Sequence, residues 1–222
     1  MSKRIGVLVN NMGGSALPYE RKFALAVSEV AERYGNKIIY YTGGFYNAPE
    51  RLGGQQSYIL DLAKADNLDG IIALSSLIAE FCSTEEITAY YESFAPVPVV
   101  SVGIELPGIP SVLINNYDAM SSIMNHLFSE HNPENVVYIG GPPEGYEAQE
   151  RLRAFTDAMN KNGRDVNPDL MYDGFYLRSS GSAAALDLLK NKKKFDTVVC
   201  ANDETALGFM SCLAETGLHA QR

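Results

Sequence analysis

Tryptophan is absent from this 222-residue chain, and cysteine and histidine occur only three times each. The three cysteines share no CxxC spacing and fall in apolar stretches, which argues against a disulfide framework or a zinc site. The apolar run near the N-terminus, residues 5–9, is too short for a secretory signal or a membrane span. We therefore expect a cytoplasmic protein with reduced thiols and no membrane partner.

Basic residues are also scarce, with 18 Lys and Arg against 27 Asp and Glu and a formal net charge of -9. Proteins that bind a nucleic-acid duplex rely on clustered Lys and Arg to displace counterions. This composition predicts that the chain itself does not bind nucleic acid.

Catalytic and cofactor motifs are missing as well. The sequence contains no HExxH, GxSxG, GxxxxGK[ST] or GxGxxG pattern. His126, His131 and His219 stand near predicted helix ends or the chain end, and we interpret them as surface residues. The sequence therefore predicts no catalytic centre, no metal site and no cofactor.

Short β-rich runs alternate with segments of helical periodicity along nearly the whole chain. This order is typical of βα units wound on parallel sheets, so the predicted fold class is α/β. Most of the runs are continuously apolar, as expected for strands covered on both faces. Eight or nine strands are expected, with candidates at residues 5–9, 37–41, 70–74, 99–102, 112–114, 136–139, 170–172 and 197–201.

Capping signals place the helices between these strands. Pro18 begins a helical pattern that Gly35 ends, Ser83 with Glu86 predicts a capping box, and Asp118 is expected to cap another helix. Three later helices are predicted at residues 147–161, 182–189 and 204–216.

The length of the chain is compatible with one large domain or with two small subdomains. A subdomain boundary is expected near residues 128–134, because Asn132-Pro133 forces a turn or extended backbone there. The predicted subdomains are residues 1–130 and residues 131–222.

Polar side chains follow several predicted strands. Ligands of parallel α/β sheets bind outside the carboxyl ends of the strands, and an amide offers a donor and an acceptor together. These positions favour a polyhydroxylated or heterocyclic ligand, although Asn and Asp also cap helices. The residues concerned are Asn10, Asn11, Ser75, Asn115 and Asn202.

Arg151 and Tyr176 are further candidates. Arg151 falls in the first turns of the helix predicted at residues 147–161, where the helix dipole disfavours a cation that has no partner or ligand. Its guanidinium could clamp ligand hydroxyls or a carboxylate, or it could pair with Glu147 at i,i+4 spacing. Tyr176 follows Phe175 just beyond a strand, so one ring could face a ligand and the other the core.

Several spaced segments carry a family resemblance, which covers almost the whole chain. The most specific is ANDETALG at residues 201–208, which is similar to an AND-x-x-A-x-G pattern, and the others are KRIGVL (3–8), NNY (115–117), VYIGG (137–141) and ERLRAF (150–155). Together they resemble the effector-binding core of the LacI/GalR transcriptional regulators, which share the type I periplasmic-binding-protein fold.

The resemblance implies two Rossmann-like subdomains that close over a small molecule, often a sugar or a nucleobase-type metabolite. Arg151 resembles the arginine that clamps polar groups of the ligand, and Asn202 resembles the asparagine that bonds hydroxyls. Tyr176 falls where the family places an aromatic ring against the ligand. The other positions that the resemblance assigns to the ligand site are Asn10, Asn11, Ser75 and Asn115.

Departures from the family pattern limit what can be carried over. Asn115 stands where many members have an acidic contact, and Gly103 follows Val102 where another acid is expected, so a sugar specificity does not transfer. The first core strand begins at residue 5, so DNA is expected to be bound only through a module outside this chain. We also expect a homodimer, and a longer regulator whose output module follows residue 222.

The predicted function is thus a ligand sensor that performs no chemistry on its effector. A second interpretation is a small α/β enzyme that acts on a sugar or nucleotide with Asp203, Glu204 or Glu144 as acid or base. A third, a transport binding protein, would need an export signal.

Overall fold

The computed structural model describes residues 2–12, 18–47, 57–65 and 67–217. The chain divides into two compact units, Met1–Ile114 and Asn115–Arg222. Each unit contains a parallel sheet with helices, which confirms the predicted α/β class. His219 lies outside the described residues.

The first unit is built on a five-stranded parallel sheet. Its strands are β1 (Arg4–Val9), β2 (Lys37–Thr42), β3 (Gly70–Ala73), β4 (Val99–Val102) and β5 (Ser111–Val112), in the order β2-β1-β3-β4-β5. Its helices are α1 (Pro18–Arg33), α2 (Tyr58–Ala65), α3 (Ser75–Ile78) and α4 (Thr84–Glu92).

The second unit is built on a three-stranded parallel sheet. Its strands are β6 (Val136–Ile139), β7 (Met171–Tyr172) and β8 (Thr197–Cys200), in the order β7-β6-β8. Its α-helices are α5 (Asn116–His126), α6 (Tyr146–Lys161), α7 (Arg178–Lys190) and α8 (Asp203–Glu215), and a π-helical turn, Leu127–His131, extends α5.

Alternation along the central strands distributes their side chains to both faces of each sheet. In β1, Val7 and Val9 belong to one buried cluster and Leu8 to another. In β6, Tyr138 packs with Phe155 of α6, whereas Ile139 packs in the cluster that includes helices α7 and α8. The continuous apolar runs in the sequence follow from this burial on two faces.

The boundary between the units lies at Ile114/Asn115, earlier than the predicted position near residue 130. The reason is the packing of α5, because Met120 and Met124 are buried with Phe155 in the core of the second unit. The turn at Asn132 is real, with φ of 43°, but it ends the π-helical turn inside that unit.

Most predicted elements are confirmed with small shifts at their ends. The capping box is present, since Ser83 Oγ accepts from the Glu86 amide at 3.2 Å and Glu86 Oε2 accepts from the Ser83 amide at 2.8 Å. The prediction for Asp118 is wrong, because Asn115 caps α5. Helices α2 and α3 were not predicted. No helix within the described ranges is both long and apolar enough to cross a membrane.

Candidate functional site

Arg151 connects the carboxyl ends of the strands in the second unit. Its Nε and Nη2 donate to Asn116 Oδ1 at 3.0 and 2.7 Å, and Nη1 donates to the Ala201 carbonyl at 2.9 Å. Nη2 also donates to Glu147 Oε2 at 3.1 Å. The guanidinium therefore joins the starts of α5 and α6 to the end of β8.

The ion pair between Arg151 and Glu147 confirms the i,i+4 alternative and is largely buried, with the two side chains 19% and 18% exposed. Burial raises the pKa of the Glu147 carboxyl, and the Arg151 charge partly offsets that rise. Nη1 carries a second N–H group that the four bonds of Arg151 do not use.

Tyr176 lies beside this arginine in an unusual backbone conformation. Its φ is 59°, in the left-handed region that residues other than Gly, Asn and Asp seldom adopt. The Arg151 guanidinium carbon lies 5.6 Å from the centre of the ring. The ring packs so closely on Gly141 that a Cβ there would lie 2.4 Å from it, so a side chain at position 141 would displace the ring.

Asn202 uses both ends of its amide within the unit. Oδ1 accepts from the Thr205 amide at 3.0 Å and caps α8, while Nδ2 donates to the Tyr176 carbonyl at 3.0 Å. The structure thus brings Arg151, Tyr176 and Asn202 together, and it confirms the capping alternative for Asn202. Whether any of the three contacts a ligand stays a prediction.

Asn115 and the adjacent Asn116 have different roles in the second unit. Asn115 Oδ1 accepts from the Asp118 amide at 3.0 Å and Nδ2 donates to Asp118 Oδ2 at 2.6 Å, so its side chain serves the cap of α5. Asn116, which is buried, is the residue that contacts Arg151. The sequence analysis did not select Asn116, because two adjacent amides follow the strand and the sequence does not show which of them contacts Arg151.

A small cavity of about 110 Å³ lies beside the carboxyl ends of β6 and β7. Its lining includes Tyr138, Gly140, Gly141 and Asp173. The Tyr138 hydroxyl is buried, has no hydrogen-bond partner among the described residues, and has its pKa raised by burial. Among the described residues, those that line this cavity do not include Arg151, Asn116, Tyr176 or Asn202.

Asn10 and Asn11 follow β1 in the first unit and are partly buried. Asn10 Oδ1 accepts from the Asn11 amide at 2.8 Å, and the Asn10 carbonyl accepts from the Gly44 amide at 2.9 Å. These bonds shape the strand end, and the ligand role of both residues stays a prediction.

Ser75 is fully buried at the start of α3. Its hydroxyl lies 2.9 Å from the Tyr91 hydroxyl and accepts from Ser101 Oγ at 2.8 Å. Burial raises the pKa of Tyr91, so the tyrosine is a neutral hydroxyl at physiological pH. The structure gives Ser75 an internal role, and a ligand would have to displace this network to reach it.

Replacing Ser75 by alanine is expected to lower the free energy of unfolding by about 2 kcal/mol, because buried hydroxyls of Tyr91 and Ser101 lose a partner. Urea unfolding followed by circular dichroism measures the change. The neighbouring Ser76→Ala, at a partly exposed position, is the control and should change the free energy by less than about 0.5 kcal/mol. Unchanged stability in Ser75→Ala would contradict the internal role.

Two residues of the enzyme alternative, Glu204 and Asp203, lie at the start of α8. Glu204 Oε2 accepts from Arg178 Nε at 2.7 Å, and Asp203 is exposed in the first turn of α8. Within the part of the chain that the structure describes, no group of three or more His, Cys, Asp or Glu side chains is arranged to hold a metal ion. The site is instead composed of the Arg151 guanidinium paired with the Glu147 carboxylate, together with amides and aromatic rings.

Curated relatives of this chain are transcriptional regulators. It is 24% identical over 217 residues to the HTH-type transcriptional repressor PurR of Actinobacillus pleuropneumoniae, covering 98% of this chain and 60% of PurR. It is 27% identical over 164 residues to the HTH-type transcriptional repressor CytR of Escherichia coli, covering 74% of this chain and 47% of CytR. The chain thus spans about 60% of the length of PurR and less of CytR.

Solved structures of transcriptional repressors share the fold of this chain. The lac repressor dimer bound to operator and the anti-inducer ONPF superimposes with a TM-score of 0.79 at 19% identity, covering 99% of this chain and 71% of that one. The Escherichia coli repressor ascG superimposes with a TM-score of 0.73 at 23% identity, covering 97% and 74%. These similarities confirm the predicted periplasmic-binding-protein-like fold.

Residues 2–222 match the family described as periplasmic binding proteins and sugar binding domain of LacI family. That match covers both units and confirms the resemblance carried by the ANDETALG and ERLRAF segments. The chain belongs to this family.

Proposed function

We propose that this chain is the effector-sensing part of a LacI-type transcriptional regulator, which binds a small polar metabolite and releases it unchanged. The observation that carries the proposal is the cluster formed by Arg151, Asn116, Tyr176 and Asn202 at the carboxyl edge of the sheet in the second unit. That edge is where ligands of parallel α/β sheets bind.

The chemistry of the cluster supports a sugar or nucleobase-type ligand. A guanidinium donates to hydroxyl, carbonyl or carboxylate oxygens in a fixed fork, and a partly exposed tyrosine ring offers a flat apolar face to a sugar or heterocycle. Arg151 is already oriented by Asn116 and Glu147, so a ligand does not have to order it on binding. The cluster lacks a paired acid and base, which favours binding over turnover.

The relatives support the regulatory part of the proposal. PurR and CytR are transcriptional repressors, and the lac repressor structure is a dimer bound to its operator. We propose that this chain likewise forms a homodimer in the cytoplasm and reaches DNA through a module outside residues 1–222. Effector binding would then act by favouring one conformational state of the regulator over another.

A thermal-shift screen tests the proposal. The panel is D-ribose, D-glucose, D-galactose, cellobiose, adenosine, cytidine, hypoxanthine and guanine, with mass spectrometry of each mixture after incubation. A ligand at 100 times its Kd stabilises the folded state by about 2.7 kcal/mol, so a midpoint rise of about 5 °C or more is expected for at least one compound.

The same screen separates the two function classes. A saturable shift with the compound recovered unchanged supports the sensor. Recovery of a converted product would contradict it and favour the enzyme alternative, and the absence of any shift would contradict the proposed ligand classes.

A further inference from the structure

The backbone of Tyr176 needs an external restraint. A φ of 59° costs an ordinary L-residue about 1–2 kcal/mol relative to the common regions, and tyrosine has no short polar group that bonds its own backbone. Residues in such conformations persist when their surroundings hold them. The turn between β7 and α7 therefore depends on contacts from outside itself.

Asn202 supplies such a contact from the neighbouring strand end. Its Nδ2 donates to the Tyr176 carbonyl at 3.0 Å, and its Oδ1 is fixed by the Thr205 amide at 3.0 Å. Asn202 is the N-cap of α8, and its backbone is extended, with φ of -153° and ψ of 170°. The Asn202 side-chain amide therefore anchors the Tyr176 carbonyl to the start of α8.

Other contacts hold the two sides of the turn. Gly174 lies so close to the Gly140 carbonyl that a Cβ would be 2.3 Å from its oxygen, and the Phe175 amide donates to Ser180 Oγ at 3.1 Å. Between these points, the bond from Asn202 acts on the residue that carries the ring. The direction of the Tyr176 side chain follows from its backbone, so this bond also sets where the ring lies against Gly141 and Arg151.

We propose that Asn202 is a positioning residue, which holds the Tyr176 ring in place by fixing its left-handed backbone. This role differs from the direct bond to ligand hydroxyls that the family resemblance implies for Asn202. It deepens the proposed function, because the ring it holds is the proposed ligand platform.

The absence of tryptophan from the sequence makes a direct test practical. Tyr176→Trp introduces a single indole whose emission reports its burial. In that background Asn202→Ser keeps an oxygen suited to capping α8 but lacks the amide N–H that reaches Tyr176. The matched control is Asn115→Ser, which makes the same change at the N-cap of α5.

Positioning by Asn202 predicts that Asn202→Ser shifts the indole emission to longer wavelength and at least doubles the acrylamide quenching constant. The thermal midpoint should fall by no more than about 4 °C, since the cap is retained. Asn115→Ser should leave the emission unchanged. No change in Asn202→Ser, or an equal change in both variants, would overturn the proposal.

A second measurement avoids any effect of the tryptophan. In the chain with Tyr176 intact, Asn202→Ser should speed amide hydrogen exchange at residues 175–177 at least tenfold while leaving helix α8 unchanged. Unchanged exchange at residues 175–177 would contradict the proposal. Both readouts work without ligand, so a failure here is distinct from a failure to bind any panel compound.

Discussion

Replacing Arg151 by alanine is expected to lower the free energy of unfolding by about 3 kcal/mol. The substitution leaves the Glu147 carboxylate largely buried without its counter-charge, and it removes the donors to Asn116 Oδ1 and the Ala201 carbonyl. Removing one member of a buried pair is costly because the other charge stays desolvated. Urea unfolding followed by far-ultraviolet circular dichroism measures the change.

The same helix provides a control. Arg153 bonds Glu150 at 2.8 Å and stacks on Tyr117 at 4.2 Å, but its side chain is 56% exposed. Exposed pairs contribute little, so Arg153→Ala should change the free energy of unfolding by less than about 1 kcal/mol. Equal effects of the two substitutions would contradict the role assigned to Arg151.

The effect of Arg151→Ala should depend on pH. Burial raises the pKa of Glu147 above its ordinary value of 4.5, and Arg151 lowers it, so the variant has a still higher Glu147 pKa. A carboxyl with a raised pKa in the folded state favours folding at low pH and loses that contribution as pH rises through the folded pKa. The stability difference between wild type and variant should therefore be largest at pH 7 and smaller at pH 4. An equal difference at the two pH values would contradict this assignment.

Gly208→Ala is the second substitution with a large expected effect, a loss of about 3 kcal/mol. Helices α7 and α8 approach so closely that a Cβ on Gly208 would lie 2.0 Å from the Arg178 carbonyl oxygen. That contact is with backbone, so the two helices would have to move apart. In an open helix the same substitution stabilises by about 1 kcal/mol through helix propensity, so the sign of the effect is diagnostic.

Gly163→Ala serves as the control for Gly208. A Cβ at Gly163 meets nothing within 4 Å, but its φ is 66°, so only backbone strain of about 1 kcal/mol is expected. Thermal unfolding by calorimetry compares the two variants. A stabilised Gly208→Ala protein would show that the backbones of α7 and α8 do not make the contact described.

The strands were predictable because burial on both faces leaves a local signature. All eight candidates are present with their ends shifted by at most two residues, as in Val136–Ile139 and Thr197–Cys200. The capping box at Ser83 was predictable for a similar reason, because both partners lie within one helical turn.

The contacts that build the site were not predictable, because they join distant positions. Asn116 and Arg151 are separated by 35 residues, and Arg151 and Ala201 by 50. The i,i+4 spacing predicts the pair of Arg151 with Glu147. The sequence does not show whether Asn115 or Asn116 contacts Arg151. The left-handed backbone of Tyr176 was not predictable either, since tyrosine is not a residue type that favours this conformation.

The boundary between the units, at Ile114/Asn115, differs from the predicted one because the turn signal at Asn132-Pro133 is local to the second unit. Asn132 does adopt a left-handed conformation, but the sequence does not show which core α5 joins. Ser75 is a similar case. Its position after β3 suggested a ligand contact, whereas Tyr91 and Ser101, far along the chain, determine its environment.

The central claim is that this chain binds a small polar effector through Arg151 and does not alter it. Isothermal titration calorimetry with the panel compound that gives the largest thermal shift tests it, using wild type, Arg151→Lys and Arg153→Ala. Arg151→Lys keeps a charge beside Glu147, which favours a folded variant, but loses the planar fork. The account predicts one site per chain, at least tenfold weaker binding in Arg151→Lys, a difference of about 1.4 kcal/mol, and no change in Arg153→Ala. Affinity within about threefold of wild type in a folded Arg151→Lys protein, below about 1 kcal/mol, would contradict it.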